Sequence, residues 1–146
     1  MTDHKPRFNH VAMTVPADLL DAEHRAAILE FYGDVFGWEE MPTMTEDRKR
    51  MVLMAYEFGQ FVFLEADDAP MRTSFMDHFG MSVSDKHELT DMLAKARSWT
   101  ERDDRVTVKD NEVEDFGVLE LTSFYVNYLL PLTVEVQHFD WKTQPA

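Results

Sequence analysis

The chain contains no cysteine, so it forms no disulfide bond, and any metal ion must be held by histidine and carboxylate ligands. It also has no apolar run near the ~18 residues that a membrane-spanning helix requires. Residues 1–7 lack the apolar stretch of a secretory signal. We therefore expect a cytoplasmic protein with no membrane partner.

Basic residues are scarce: 14 Lys and Arg stand against 28 Asp and Glu, and the formal net charge is −14. A charge of this sign repels phosphate backbones, so we expect no nucleic-acid partner, whereas a cationic ligand would be attracted. The 146 residues, 45% of them hydrophobic, are typical of one globular unit. We expect residues 1–146 to form a single domain.

Two segments repeat one pattern along the chain. Residues 9–16 read NHVAMTVP and residues 77–84 read DHFGMSVS. Both alternate with the period of a β-strand, so one face of each is bulky and apolar. The other face carries His10 or His78, followed by small residues that leave space instead of filling it. This pattern predicts two equivalent strands whose small-residue faces border a cavity.

A helix and further strands follow each repeated strand. Apolar residues recur with helical spacing over residues 28–35, with Gly37 as a stop signal, and over residues 89–96, with Ser84 as the N-cap. Strand-like runs cover residues 51–57 and 60–65, joined by a turn at Phe58-Gly59, and a weaker strand lies near residues 38–44. In the second half they cover residues 106–109, 117–127 and 132–139. The sequence therefore predicts an α+β fold of two βαβββ modules, about 7–68 and 75–141.

The last predicted strand places a carboxylate beside the two histidines. Glu135 lies between Val134 and Val136, so it points to the small-residue face, where an unpaired charge is costly to bury. Two imidazoles and one carboxylate on three strands suit Fe(II) or Mn(II), and Zn(II) or Ni(II) also fit. Each residue alone has a structural explanation, as a hydrogen-bonded or salt-bridged group. The repeat places both histidines in register and favours a metal site at His10, His78 and Glu135.

Three polar residues share the predicted cavity face with Glu135: Tyr125, Asn127 and Gln137. We expect them to bind or orient a substrate. His138 falls on the opposite face of its strand, so it is not counted as a ligand.

The segments 9–15, 31–38 (FYGDVFGW), 78–83 and 124–136 resemble the vicinal-oxygen-chelate superfamily. The superfamily includes glyoxalases, extradiol dioxygenases, fosfomycin-resistance thiol transferases and bleomycin-resistance proteins. The resemblance implies paired βαβββ modules around a cavity, with metal ligands at the positions of His10, His78 and Glu135. It also implies a homodimer.

The chain departs from that pattern at two places. Glyoxalase I-like members carry a fourth ligand on the fourth strand, where the alignment gives Val62 or Phe63, with Glu65 nearby as a possible substitute. The three-ligand pattern is more similar to that of the dioxygenases and thiol transferases. Many relatives also have a polar turn before the last strand, where this chain has the apolar residues 128–132 (YLLPL). Such a tip is expected to pack on a partner subunit or to cover the cavity.

Two functions remain open at this stage. One is a metal-dependent enzyme, a dioxygenase or lyase, that chelates two adjacent oxygens of a small organic substrate. The other is a metal-free protein that binds a cationic drug or metabolite, as bleomycin-resistance proteins do. In a third interpretation, His10, His78 and Glu135 have only a structural role.

Overall fold

The computed structural model describes residues 4–57 and 59–143. They form two compact units, which divide between Met71 and Arg72. This division falls in the loop between the two predicted modules. The single domain of residues 1–146 stays a prediction.

The first unit is a four-stranded sheet with one long helix. In chain order it contains β1 (His10–Val15), a 3-10 turn (Ala17–Leu20), α1 (Ala22–Phe36), β2 (Glu39–Glu40), β3 (Arg50–Met54) and β4 (Phe61–Ala66). The sheet order is β1-β4-β3-β2. Strands β1 and β4 are parallel, and the other pairs are antiparallel.

The second unit repeats this arrangement. It contains β5 (His78–Val83), α2 (Lys86–Arg102), β6 (Thr107–Asp115), β7 (Leu119–Asn127) and β8 (Thr133–Trp141). Its sheet order is β5-β8-β7-β6, with β5 and β8 parallel. The predicted α+β class and the twofold βαβββ order are therefore confirmed.

The helices begin and end where local chemistry requires. The side chain of Asp21 accepts a hydrogen bond from the His24 backbone N–H and caps α1, which ends at Gly37 with a φ of 73°. The cap of α2 is Asp85, whose carboxylate accepts from the His87 N–H. The prediction of Ser84 as this cap is wrong by one residue.

Both helices bury the faces that the apolar spacing indicates. In α1 these are Ile28, Phe31, Tyr32 and Val35, and in α2 they are Leu89, Leu93, Ala96 and Trp99. In the first sheet the buried residues lie on the face opposite the histidine: Met13, Val15, Val62 and Leu64. The opposite face of β1 remains open, with His10 and Ala12 exposed.

Strand boundaries shift by a few residues from those predicted. The run 51–57 ends as a strand at Met54, the weak strand near 38–44 is only Glu39–Glu40, and β6 extends to Asp115. Of the predicted turn, Phe58 lies outside the described residues.

The apolar tip before β8 is largely covered within the chain. Tyr128 is 1% exposed and Leu130 is 3% exposed. The backbone of Leu129 takes a positive φ of 60°, the conformation that a polar turn would supply with Gly or Asn. Tyr128 and Leu130 are therefore shielded from water, as expected of an apolar tip. Its packing on a partner subunit or over the cavity stays a prediction.

No helix in the described parts of the chain combines the length and apolar character needed to cross a membrane.

Candidate metal site

Strand register places the candidate residues of the second unit on one face of its sheet. Gly80 of β5 lies opposite Glu135 of β8, and Glu135 lies opposite Tyr125 of β7. Gln137 is one step further along β8, opposite Ser82. We call the face with these residues the inner face of the second sheet. His138 pairs with Val83 on the other face, as predicted.

Glu135 is buried on the inner face and is held by two neighbouring side chains. It is 6% exposed. The Gln137 Nε2 donates a hydrogen bond of 2.7 Å to Glu135 Oε1, and the Tyr125 phenol is also hydrogen-bonded to Glu135. This hydrogen bond, together with burial, holds the pKa of Tyr125 well above its ordinary value. Tyr125 is therefore a neutral donor to the carboxylate over the physiological pH range.

The two ring nitrogens of His78 have different surroundings. Nδ1 lies 2.7 Å from the carbonyl oxygen of Met76, which only accepts, so Nδ1 carries the proton. In the neutral ring Nε2 therefore presents a lone pair. Nε2 lies 3.7 Å from Glu135 Oε1, and the Tyr125 ring contacts His78 edge-on, with centroids 5.2 Å apart.

This separation is informative because 3.7 Å is too long for a hydrogen bond. Two atoms that each lie about 2.1 Å from a common metal ion are separated by roughly 3–4 Å. In the neutral ring, His78 Nε2 and Glu135 Oε1 are two acceptors that face each other with no proton between them. A cation between them would turn an unfavourable contact into a favourable one.

His10 has the same ring chemistry in the first unit. Its Nδ1 lies 2.6 Å from Asn9 Oδ1, which leaves Nε2 as the nitrogen with the lone pair when the ring is neutral. The ring stacks on Phe61, with centroids 4.8 Å apart and an interplanar angle of 3°. Both predicted ligand histidines are thus held by a group on Nδ1, the arrangement that metal-binding histidines usually show.

Register also identifies the counterpart of Glu135 in the first sheet. Ala12 of β1 lies opposite Phe63 of β4, as Gly80 lies opposite Glu135. Glu65 lies opposite Thr14 and is the counterpart of Gln137. It is exposed and one step further along the strand. Phe63 therefore takes the place of a fourth ligand, and Glu65 stays a prediction.

The side-chain amide of the remaining candidate, Asn127, forms hydrogen bonds to the hairpin before β8. Its Nδ2 donates to the Leu130 carbonyl oxygen at 2.9 Å and lies 3.4 Å from Thr133 Oγ1. Only its carbonyl oxygen is left for a substrate. On the other side of Tyr125, the Lys109 Nζ lies 5.3 Å from the ring centroid and 2.9 Å from Glu112 Oε1.

Sequence reasoning missed two features of this site. One is the Met76 carbonyl, which follows from backbone geometry and has no signal in the sequence. The other is Lys109, whose place beside Tyr125 depends on the register of β6 against β7. Within each unit, the described His, Asp and Glu side chains form no cluster of three. The joining of His10 to His78 and Glu135 stays a prediction.

Solved structures with the same fold were found for nearly the whole chain. A glyoxalase/bleomycin resistance protein/dioxygenase from Alicyclobacillus acidocaldarius is 18% identical, with a TM-score of 0.63 and 95% of each chain covered. A lactoylglutathione lyase from Agrobacterium tumefaciens is 19% identical, with a TM-score of 0.63, 93% of this chain and 96% of that chain covered.

A third similar structure holds a metal ion. It is a single-residue mutant of the fosfomycin resistance protein FosX from Listeria monocytogenes, complexed with Mn(II) and 1S,2S-dihydroxypropylphosphonic acid. Identity is 15%, the TM-score is 0.58, and 89% of this chain and 87% of that chain are covered. No protein-family model and no curated protein matches the sequence.

These likenesses, together with the two βαβββ units, define the fold of the molecule. The chain has the fold of the vicinal-oxygen-chelate superfamily, which the sequence resemblance implies.

Proposed function

We propose that the protein is a divalent-metal-dependent enzyme that acts on a small organic substrate through two adjacent oxygens. The observation that carries this proposal is the 3.7 Å separation of His78 Nε2 and Glu135 Oε1, with the proton of His78 fixed on the opposite nitrogen by Met76. His10, from the equivalent position of the first sheet, is the third ligand in this proposal.

The donor set fits a divalent ion. It consists of two imidazole nitrogens and one carboxylate, which suits Fe(II) or Mn(II), with Zn(II) and Ni(II) as alternatives. The bound ion supplies Lewis-acid chemistry that stabilises negative charge on substrate oxygens. Tyr125 keeps its proton, which it donates to the carboxylate, so its phenol oxygen would contact a substrate as an acceptor. Gly80 and Ser82 leave space on the same face.

One observation favours a dioxygenase-like site over a glyoxalase I-like one. Phe63 takes the position of the fourth protein ligand, so three protein ligands remain and more coordination positions stay open for substrate and dioxygen. The similar structure of FosX, complexed with Mn(II), supports metal dependence in a chain of this fold.

The second candidate function is metal-free binding of a cationic drug or metabolite. The formal charge of −14 favours it. In that case Glu135 and its donors would form an anionic contact for the ligand. The two functions differ in one measurable property, which is whether the wild-type chain binds divalent ions through its histidines.

We propose in addition that the protein is a cytoplasmic homodimer whose partners are small molecules and not nucleic acids or membranes. The charge of −14 supports the absence of nucleic-acid binding. The exposed aromatic residues at the end of β8 support the dimer.

Calorimetric titration with Fe(II), Mn(II), Ni(II) and Zn(II) tests the enzyme proposal. We expect wild type to bind about one ion per chain, and His10→Ala, His78→Ala and Glu135→Ala each to weaken binding by at least about tenfold. His138→Ala is the matched control, because His138 lies on the other face of β8. If wild type binds none of the four ions more tightly than Glu135→Ala does, the metal-free function is favoured instead.

The unfolding of the apo proteins provides a second readout. Without an ion, Glu135 is a buried carboxylate opposite an imidazole acceptor, which costs free energy. We expect Glu135→Ala to keep the fold, with an apo melting temperature equal to or above that of wild type. This outcome separates loss of a ligand from loss of the structure.

A further inference from the structure

Gln137 makes a direct contact with the carboxylate of the candidate site. Its Nε2 donates to Glu135 Oε1 at 2.7 Å, and this is the same oxygen that lies 3.7 Å from His78 Nε2. The two residues are next but one on β8 and therefore lie on the same face. Gln137 thus acts on the oxygen through which Glu135 would bind an ion.

His78 does not hold this oxygen by a hydrogen bond. Its Nε2 lies 3.7 Å from Glu135 Oε1, which is too long for a hydrogen bond, and its Nδ1 is directed to the Met76 carbonyl oxygen. The carboxylate is held instead by two other side chains, Gln137 and Tyr125.

The neighbouring strand gives Gln137 the space that this contact needs. Gly80 and Ser82 of β5 lie opposite Glu135 and Gln137. A Cβ atom added at Gly80 would lie 3.7 Å from both Gln137 Oε1 and Glu135 Oε1, which is an ordinary van der Waals contact. The hydrogen-bonded pair therefore lies directly beside the backbone of β5, with no larger side chain between them.

We propose that Gln137 is a positioning residue that holds Glu135 directed at the metal, and that it does not contact the substrate as the sequence suggested. This inference rests on the proposed function. Gln137 preorganises the carboxylate in the metal-free protein, so the ion binds without first turning its ligand. Such groups outside the ligand set typically change metal affinity by about 10–100-fold.

The test uses Gln137→Met, which keeps the length of the side chain but removes the amide donor. Ser123→Ala is the matched control, since Ser123 is buried in the same row of the sheet, opposite Gln137. We expect Gln137→Met to raise the Kd for Mn(II) by about 10–100-fold and to change the electron paramagnetic resonance spectrum of the bound ion. Ser123→Ala should stay within twofold of wild type in Kd and keep the wild-type spectrum.

A Gln137→Met protein that binds Mn(II) within twofold of wild type, with the same spectrum, would overturn the inference. A double-mutant cycle on the metal-free protein keeps this inference separate from the proposed function. We expect Gln137→Met to lower the urea midpoint in wild type but not in Glu135→Leu. If wild type binds no Mn(II), the proposed function fails, while the cycle still measures the coupling. Equal shifts in both backgrounds would contradict positioning of Glu135 whatever the metal result.

Discussion

Asp103, just after α2, accepts hydrogen bonds from two side chains in different parts of the second unit. The Arg105 guanidinium reaches its two carboxylate oxygens at 2.9 and 2.7 Å, and the Tyr128 hydroxyl donates to it at 2.8 Å. The hydrogen bonds from Arg105, followed by the one from Tyr128, hold the pKa of Asp103 well below its ordinary value of 3.8. This cluster connects the end of α2 to the apolar tip before β8.

We expect Asp103→Asn to unfold at a lower urea concentration than wild type at pH 7. Because the pKa of Asp103 is lower in the folded state, its contribution to stability is present above pH 3.8 and is lost as the pH falls through the folded value. The difference between the two proteins should therefore shrink below about pH 4. Urea unfolding from pH 7 to pH 2 measures this, and a difference that stays constant down to pH 2 would contradict it.

At the scale of residues, the sequence predicts which side chains share a face but not what each one contacts. Alternation along the strands placed Glu135, Gln137 and Tyr125 together and put His138 on the other side. The hydrogen bond from Gln137 to Glu135 depends on side-chain conformation, and the one from His78 to Met76 depends on the backbone before β5. The sequence carries no periodic signal for either hydrogen bond. From its place on the cavity face alone, Gln137 was therefore predicted to contact the substrate.

At the scale of elements, α1 ends at Gly37 in a backbone conformation that glycine adopts more easily than other residues. Gly37 has a φ of 73°, and a Cβ atom there would meet nothing within 4 Å. A larger residue at position 37 would therefore destabilise the fold through its backbone conformation and not through crowding by neighbouring atoms. Gly33 lies inside the same helix with an ordinary φ, and a Cβ atom there would lie 3.4 Å from the Trp38 carbonyl oxygen.

We expect Gly37→Ala to lower the free energy of unfolding by about 1 kcal/mol or more. Gly33→Ala is the control and should leave stability unchanged or raise it. In a helix interior, alanine is more favourable than glycine by up to ~1 kcal/mol. Chemical denaturation of the two variants measures both effects. An equal loss at both positions would contradict the conformational explanation for Gly37.

The order of the elements was predictable because each has its own period of apolar residues. Their ends were not predictable, because the period does not mark the residue at which an element begins or stops. Ser84 and Asp85 are both good capping residues, and only the backbone path decides that Asp85 receives the His87 N–H. The extension of β6 to Asp115 arises from pairing with β7, across a register shift between Lys109 and Glu112. Residues 110–115 are polar except for Val113, and they carry little strand signal of their own.

At the scale of the whole molecule, the end of β8 leaves aromatic surface in contact with water. Phe139 is 38% exposed and Trp141 is 47% exposed, and their rings stack with centroids 6.4 Å apart. Exposed aromatic pairs are typical of protein–protein contacts. Since Tyr128 and Leu130 are buried within the chain, these two residues are the better candidates for the proposed dimer contact.

We expect sedimentation of wild type at micromolar concentration to give twice the chain mass of 17.1 kDa. Phe139→Ser with Trp141→Ser should shift the protein toward the monomer, because polar side chains remove the apolar contact area. Tyr56→Ser is the control, since Tyr56 is 79% exposed in the first unit. A wild-type monomer of 17.1 kDa would contradict the dimer.

In the function that we propose, one divalent ion is bound by His10, His78 and Glu135. The metal content of protein purified without chelators or an affinity tag tests it most directly, with Glu135→Ala prepared in parallel. We expect elemental analysis to give about one Fe, Mn, Zn or Ni per wild-type chain and at most about one tenth of that in Glu135→Ala. A wild-type protein that holds no such ion, and takes up none on dialysis against each in turn, would contradict the claim.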